Sequence, residues 1–141
     1  MSTCRRPPGL RRRSWLIAAL AGCGCRARAA DESLRAAMRR AEALRDEAVR
    51  AGDQPYGAVV VCGARIVGAA PSRVVTASDP TAHAEMEAIR DAARRLQTRA
   101  LGGCVLVSTA RPCRMCEAAA ASAGIARMVY GEALGDAGAP R

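Results

Sequence analysis

Residues 105–117 read VLVSTARPCRMCE. The first four, Val105-Leu106-Val107-Ser108, are an apolar β-rich run set off by Gly102-Gly103, the pattern of a short buried strand. Pro112 then precedes Cys113 and Cys116, and an alanine-rich stretch runs to Ala123 before Gly124 stops it. Proline costs nothing in the first turn of a helix, where its missing N–H has no partner to lose. The spacing therefore predicts a helix opening at Pro112 and ending near Ala123. Ala126 to Tyr130 follows as another strand, and Gly131 to Arg141 shows no convincing element.

Upstream, Ala58-Val59-Val60-Val61-Cys62 is a continuous apolar run suited to a strand covered on both faces. Gly63-Ala64 turns it into a second strand, Arg65 to Ala70, closed by Pro71. From Asp31, Leu34, Met38, Ala41, Leu44 and Ala48 make one apolar stripe at helical spacing, which Gly52 ends. Asp79-Pro80 reads as an N-cap and first turn, and Met86, Ile89, Ala93 and Leu96 form that helix's apolar face. The order α-β-β-α-β-α-β predicts an α/β domain, a mixed sheet with helices on its faces.

The 141 residues make room for one domain, and the apolar half and charged quarter exclude a disordered or fibrous chain. No apolar run approaches the ~18 residues of a membrane-spanning helix. All 22 positive charges are Arg, and the formal charge is +9. Residues 1–30 hold seven Arg and no acid (+7); residues 31–141 hold fifteen Arg and thirteen acids (+2). The basic excess thus belongs to an N-terminal segment with the order of a secretory leader: Arg11-Arg12-Arg13, then an apolar run from Trp15 to Ala21. Arg12 to Leu16 resembles a twin-arginine export signal, and Leu20-Ala21-Gly22-Cys23 resembles a lipobox in which Cys23 carries a lipid anchor. Ala27-Arg28-Ala29 fits ordinary cleavage. The expectation is an exported chain, periplasmic or lipid-anchored; the alternative is a cytoplasmic one with a start codon set too early. The near-balanced remainder argues against nucleic acid as a partner.

His83 is the chain's one histidine; Glu85 stands two residues on, and Cys113 follows His83 by thirty. His-x-Glu followed by Pro-Cys-x-x-Cys is the signature of the zinc deaminases. Zinc prefers four tetrahedral N and S ligands, and a catalytic site leaves one position open. His83, Cys113 and Cys116 would supply three, with one Zn²⁺ per chain, and Glu85 would work at the open position. Taken singly, a lone histidine is commonly a surface or core residue, and Glu85 a helix acid. Strand–Cys-x-x-Cys–helix is also the thioredoxin-type redox arrangement. Against that rival, Pro112 stands where Trp is expected, and redox chemistry has no use for His-x-Glu. Cys62 and Cys104, in or beside strands, read as small core residues; Cys4, Cys23 and Cys25 belong to the leader.

Three segments carry a specific resemblance: PYGAVVV at 55–61, DPTAHAEMEAI at 79–89 and RPCRMCE at 111–117. They are similar to the guanine deaminase and nucleoside deaminase branch of the cytidine deaminase-like superfamily. The resemblance implies a three-layer α/β/α sandwich around a mixed sheet, short at the C-terminus, with 1–30 as leader and 31–141 as a zinc-dependent deaminase domain. It implies hydrolytic loss of an exocyclic amine from a guanine- or cytosine-like nucleobase or nucleoside, and a homodimer. His83, Cys113 and Cys116 would hold zinc, and Glu85 would carry the proton to the ring nitrogen and leaving amine. Ala58, Arg73 and Ala84 would contact the base, Arg73 lying nearest to where many members carry Asn. Arg111 stands where the family commonly has Glu, and Ala121-Ser122 where it often has aromatics. The alternatives are an inactive zinc-stabilised domain, a thiol–disulfide protein, and a tRNA adenosine deaminase, the last set low by the +2 charge.

Overall fold

A computed structural model describes residues 22–141, with side chains from Arg28 onward. The basic stretch, the twin-arginine pair and the apolar run of the expected leader lie outside the described residues. Helix α1 spans Gly22–Arg50. It begins nine positions before the expected Asp31 and runs through both expected cleavage points. From Asp31 onward its buried side chains, Ala37, Met38, Ala41, Leu44 and Ala48, follow the predicted stripe.

Strands β1 (Gly57–Cys62) and β2 (Arg65–Pro71) form the expected hairpin. Helix α2 (Ala84–Leu96), β3 (Val105–Ser108), α3 (Arg114–Ser122) and β4 (Arg127–Tyr130) follow in the predicted order. The sheet order is β2-β1-β3-β4-β5, with β3 and β4 parallel and the other neighbouring pairs antiparallel. The fifth strand, β5 (Gly135–Gly138), corrects the expectation of an elementless tail. Its sequence GDAG has no strand propensity; it pairs through its backbone with the edge of β4.

β1 shows why the whole run is apolar. Ala58 and Val60 face α2 and α3, packing with Leu106, Ala120 and Met128. Val59 and Val61 face α1, packing with Met38, Ala41 and Leu44. Alternate residues thus serve two separate cores, the α/β/α sandwich expected of a sheet buried on both faces.

Both helix layers sit close because the sheet offers glycines. A Cβ on Gly57 would lie 2.7 Å from the Arg45 backbone nitrogen, and one on Gly68 would lie 2.6 Å from Ala92 Cβ. Across from Gly68, α2 buries Ala84, Glu85, Ala88 and Ala92. This corrects the expected apolar face: Leu96 is exposed, and Met86, Ile89 and Ala93 are only partly covered. Cys62 and Cys104 are also corrected. They close a disulfide between β1 and β3, immediately beyond the paired Val61 and Val105.

Candidate metal centre and active site

The end of β3 and the starts of α2 and α3 converge on one point. Asp79 does not cap α2. Its carboxylate accepts from the Thr81 N–H and hydroxyl, at 2.8 and 2.7 Å, forming a tight turn of its own. The chain turns through Pro80 and Thr81, the Ala82 N–H donating to the Asp79 carbonyl, and His83 with extended backbone is the true N-cap (φ −62°, ψ 151°). The imidazole therefore leaves the chain just before the helix, and Glu85 inside its first turn. Helix α3 likewise starts at Arg114 with Cys113 as its extended N-cap, two residues later than Pro112 suggested.

These two caps bring three ligand atoms together. Cys113 Sγ and Cys116 Sγ are 3.6 Å apart. His83 Nδ1 lies 3.6 Å from Cys116 Sγ and 3.8 Å from Cys113 Sγ. Zinc with ordinary Zn–S and Zn–N bonds in a tetrahedron has S···S edges of about 3.8 Å and S···N edges of about 3.6 Å. The observed triangle matches one face of that tetrahedron. The sulfurs are also far beyond the ~2.05 Å of a disulfide. Among the described residues no other group of three His, Cys, Asp or Glu side chains is gathered in this way.

Glu85 completes the arrangement. It is buried, and its Oε2 lies 3.7 Å from Cys116 Sγ. Burial pushes its pKa above the ordinary carboxylate range, against the opposing influence of its own backbone N–H, His83 and Cys116. Burial, followed by the Glu85 charge and the Cys113 thiol, pushes the Cys116 thiol up as well. Two thiols that release their protons to a metal, with a neutral imidazole, are a donor set suited to a divalent cation.

A cavity of about 300 Å³ opens onto this point, lined by Gln54, Tyr56, His83, Glu85, Ala110, Arg111 and Cys113. That is the lower end of the range for small-molecule sites. The three expected base contacts lie outside its lining. Ala58 and Ala84 are fully buried in the core beneath it, and Arg73 is exposed on the loop after β2. Ser72 turns inward instead, its hydroxyl 2.8 Å from Asp53 Oδ1. Asp53 also accepts from the Gln54, Val75 and Thr76 N–H groups and the Thr76 hydroxyl. It ties the strand entrance that carries Gln54 and Tyr56 to the loop that leads to His83. Burial raises its pKa, but the hydrogen bonds from Thr76, Ser72 and Gln54 outweigh that and hold it well below the ordinary range.

Gln54, Tyr56 and Ala110 were not legible as site residues. Their signal is the β1–β3 register, in which Ala58 opposes Ser108; extended two residues, it sets Tyr56 beside Ala110.

Residues 31–132 match the cytidine and deoxycytidylate deaminase zinc-binding region. The chain belongs to the cytidine and deoxycytidylate deaminase zinc-binding family. Within this deaminase family it is 40% identical over 97 residues to the tRNA-specific adenosine deaminase of Aquifex aeolicus, covering 69% of this chain and 62% of that protein. It is 45% identical over 104 residues to the tRNA(Ile)-lysidine synthase of Deinococcus deserti, covering 73% of this chain and 20% of that protein. The guanine deaminase structure from Bacillus subtilis superposes with a TM-score of 0.65 at 38% identity, covering 68% of this chain and 62% of that one. The chain thus spans between a fifth and about three-fifths of the curated relatives' lengths. The deaminase fold, a mixed sheet between helix layers, is the one the sequence resemblance implied.

Proposed function

We propose that this deaminase-family chain removes the exocyclic amine of a guanine- or cytosine-like nucleobase or nucleoside as ammonia. The observation that carries the reading is the ligand triangle of His83, Cys113 and Cys116, with the Glu85 carboxylate beside it. Those three residues would hold one zinc ion, whose chemistry is to make water acidic enough to act as a nucleophile near neutral pH. Glu85 takes one proton from the attacking water and delivers it to the departing nitrogen. The water oxygen joins the ring carbon, and the C–N bond breaks. Ala58, Arg73 and Ala84 remain proposed substrate contacts.

Screening zinc-loaded protein against guanine, cytosine, adenine and their nucleosides for ammonia tests the reaction. Glu85→Gln is expected to lower the rate by about 10²–10⁴-fold while keeping one zinc per chain. Unchanged turnover in that variant overturns the mechanism. A metal-loaded chain that turns over none of these substrates points to an inactive, zinc-stabilised domain. A second reading, adenosine in tRNA, is supported by the Aquifex aeolicus relative and opposed by the +2 charge of residues 31–141. Inosine formation in tRNA would establish it. Sedimentation of the loaded protein tests the homodimer that the resemblance implies.

We also propose that residues 1–30 direct export. The Cys62–Cys104 disulfide supports this, since such bonds persist in oxidising compartments. A reporter fused to residues 1–32 should leave the cytoplasm; retention there ends the idea.

A further inference from the structure

We propose that Asp53 is a positioning residue for substrate: it holds the entrance wall of the cavity in binding geometry and takes no part in metal binding or in the chemical step. The proposal rests on the deaminase reading of the site and adds a residue to its binding machinery. Among the described residues two acids are buried, Glu85 at the ligand triangle and Asp53. The mechanism uses the first and leaves the second without a role.

The two oxygens of Asp53 serve different pieces of chain. Oδ1 accepts from the Gln54 N–H and the Ser72 hydroxyl, both at 2.8 Å. Oδ2 accepts from the Val75 N–H at 3.1 Å and from the Thr76 N–H and hydroxyl, each at 2.8 Å. Residues 73–79 wind into a turn, in which the Ala77 N–H donates to the Arg73 carbonyl and the Ser78 N–H to the Val75 carbonyl. The first amides of such a turn have no partner within it. Asp53 satisfies two of them from 22 and 23 positions upstream. Among the described residues, neither apolar core includes any of 73–79. Hydrogen bonds therefore set the place of this loop beside Gln54 and Tyr56, which line the cavity. Besides those of Asp53, they are the Ser72 N–H to the Tyr56 carbonyl and the Arg73 N–H to the Ala82 carbonyl, both 2.9 Å.

The metal ligands are held otherwise. His83, Cys113 and Cys116 sit at the starts of α2 and α3, which Ala88, Ala92 and Ala120 seat in the core. Removing the Asp53 charge thus loosens the wall that meets the substrate and leaves the triangle in place.

Zinc-loaded parent and Asp53→Asn proteins are compared well below both unfolding midpoints, with guanine, guanosine, cytosine and cytidine as substrates. For each one the parent turns over, KM should rise about tenfold or more in the variant while kcat stays within about twofold, at one zinc per chain. Cys62→Ser weakens the fold at the far end of β1 and should leave KM unchanged. Thr76→Val removes one donor and keeps the carboxylate; it should raise KM about threefold and add nothing on top of Asp53→Asn. Amide exchange needs no substrate: in Asp53→Asn, Val75 and Thr76 should lose about tenfold more protection than Leu106 and Val107. Loss of zinc, a fall in kcat at unchanged KM, or an equal KM rise in Cys62→Ser overturns the proposal. So does exchange at Val75 and Thr76 that gains no more than at β3. If Asp53→Asn does not fold, Thr76→Val decides, and an unchanged KM there overturns it. A parent that releases ammonia from none of the four sinks the reaction reading instead, and amide exchange then decides the positioning alone.

Discussion

Asp53 carries no chemistry, yet five donors converge on its carboxylate. Because its folded pKa is depressed, the stabilisation it gives is complete above the unfolded value of about 3.9. It is lost as pH falls below that toward the folded value. The denaturation midpoint should therefore drop as pH falls from about 5 to about 3, and Asp53→Asn should flatten that part of the profile. At neutral pH the variant should be less stable by about 1–3 kcal/mol, since an amide cannot accept from all those donors. Denaturant titrations across pH check both, and an unchanged acid slope would remove Asp53 from the account. At the same scale, the meeting of His83, Glu85, Cys113 and Cys116 at one point could be anticipated from residue types and spacing, because few chemistries ask for His-x-Glu and Cys-x-x-Cys together. What spacing misplaced was the helix start. Asp79 followed by Pro80 has the form of a cap, but its carboxylate is engaged by Thr81, and His83 takes the cap position that frees its ring.

Among the elements, α1 and β1 could be read from their periods because large apolar residues mark their buried positions. The buried face of helix α2 could not. It meets β2 through alanines, which give little hydrophobic signal, while its larger side chains sit toward the rim. The close seat exists because Gly68 has no side chain. Gly68→Ala should therefore cost about 1–3 kcal/mol by overpacking, since Ala92 Cβ and its backbone nitrogen would both lie 2.6 Å from the new carbon. Thermal unfolding measures this. A neutral result would mean that α2 can move outward freely, in which case the His83 cap should shift and zinc affinity fall. β5 was illegible for another reason: its four residues carry no strand pattern, and the exposed edge of β4 recruits their backbone. That strand still lies against Tyr130, whose ring centroid is 5.9 Å from the Arg111 guanidinium at the cavity wall.

For the molecule as a whole, the two cysteine pairs stand in different states: Cys62 and Cys104 are bonded, whereas Cys113 and Cys116 are free beside His83. Cys62 and Cys104 looked like core fillers because nothing in their 42-residue separation names a partner; only the β1–β3 register does. Reducing the disulfide, or replacing Cys62 with Ser, should lower stability by about 2–4 kcal/mol. Metal analysis should still find one zinc, since the two pairs sit at opposite ends of β3. Loss of zinc on mild reduction alone would show that the pairs had been confused. Strand β3 is four residues long and shares the sheet's centre with β1, yet a covalent clamp precedes it at Cys104 and the ligand triad begins after it at Cys113. Short strands ordinarily fray from their ends. Here neither end is loose, so in the oxidised, zinc-loaded chain the Leu106 and Val107 amides should exchange with deuterium only through global opening, at the slowest rate in the protein. Stripping zinc or cutting the disulfide should each release one end, and the exchange rates should show which clamp was setting the lifetime of the closed sheet.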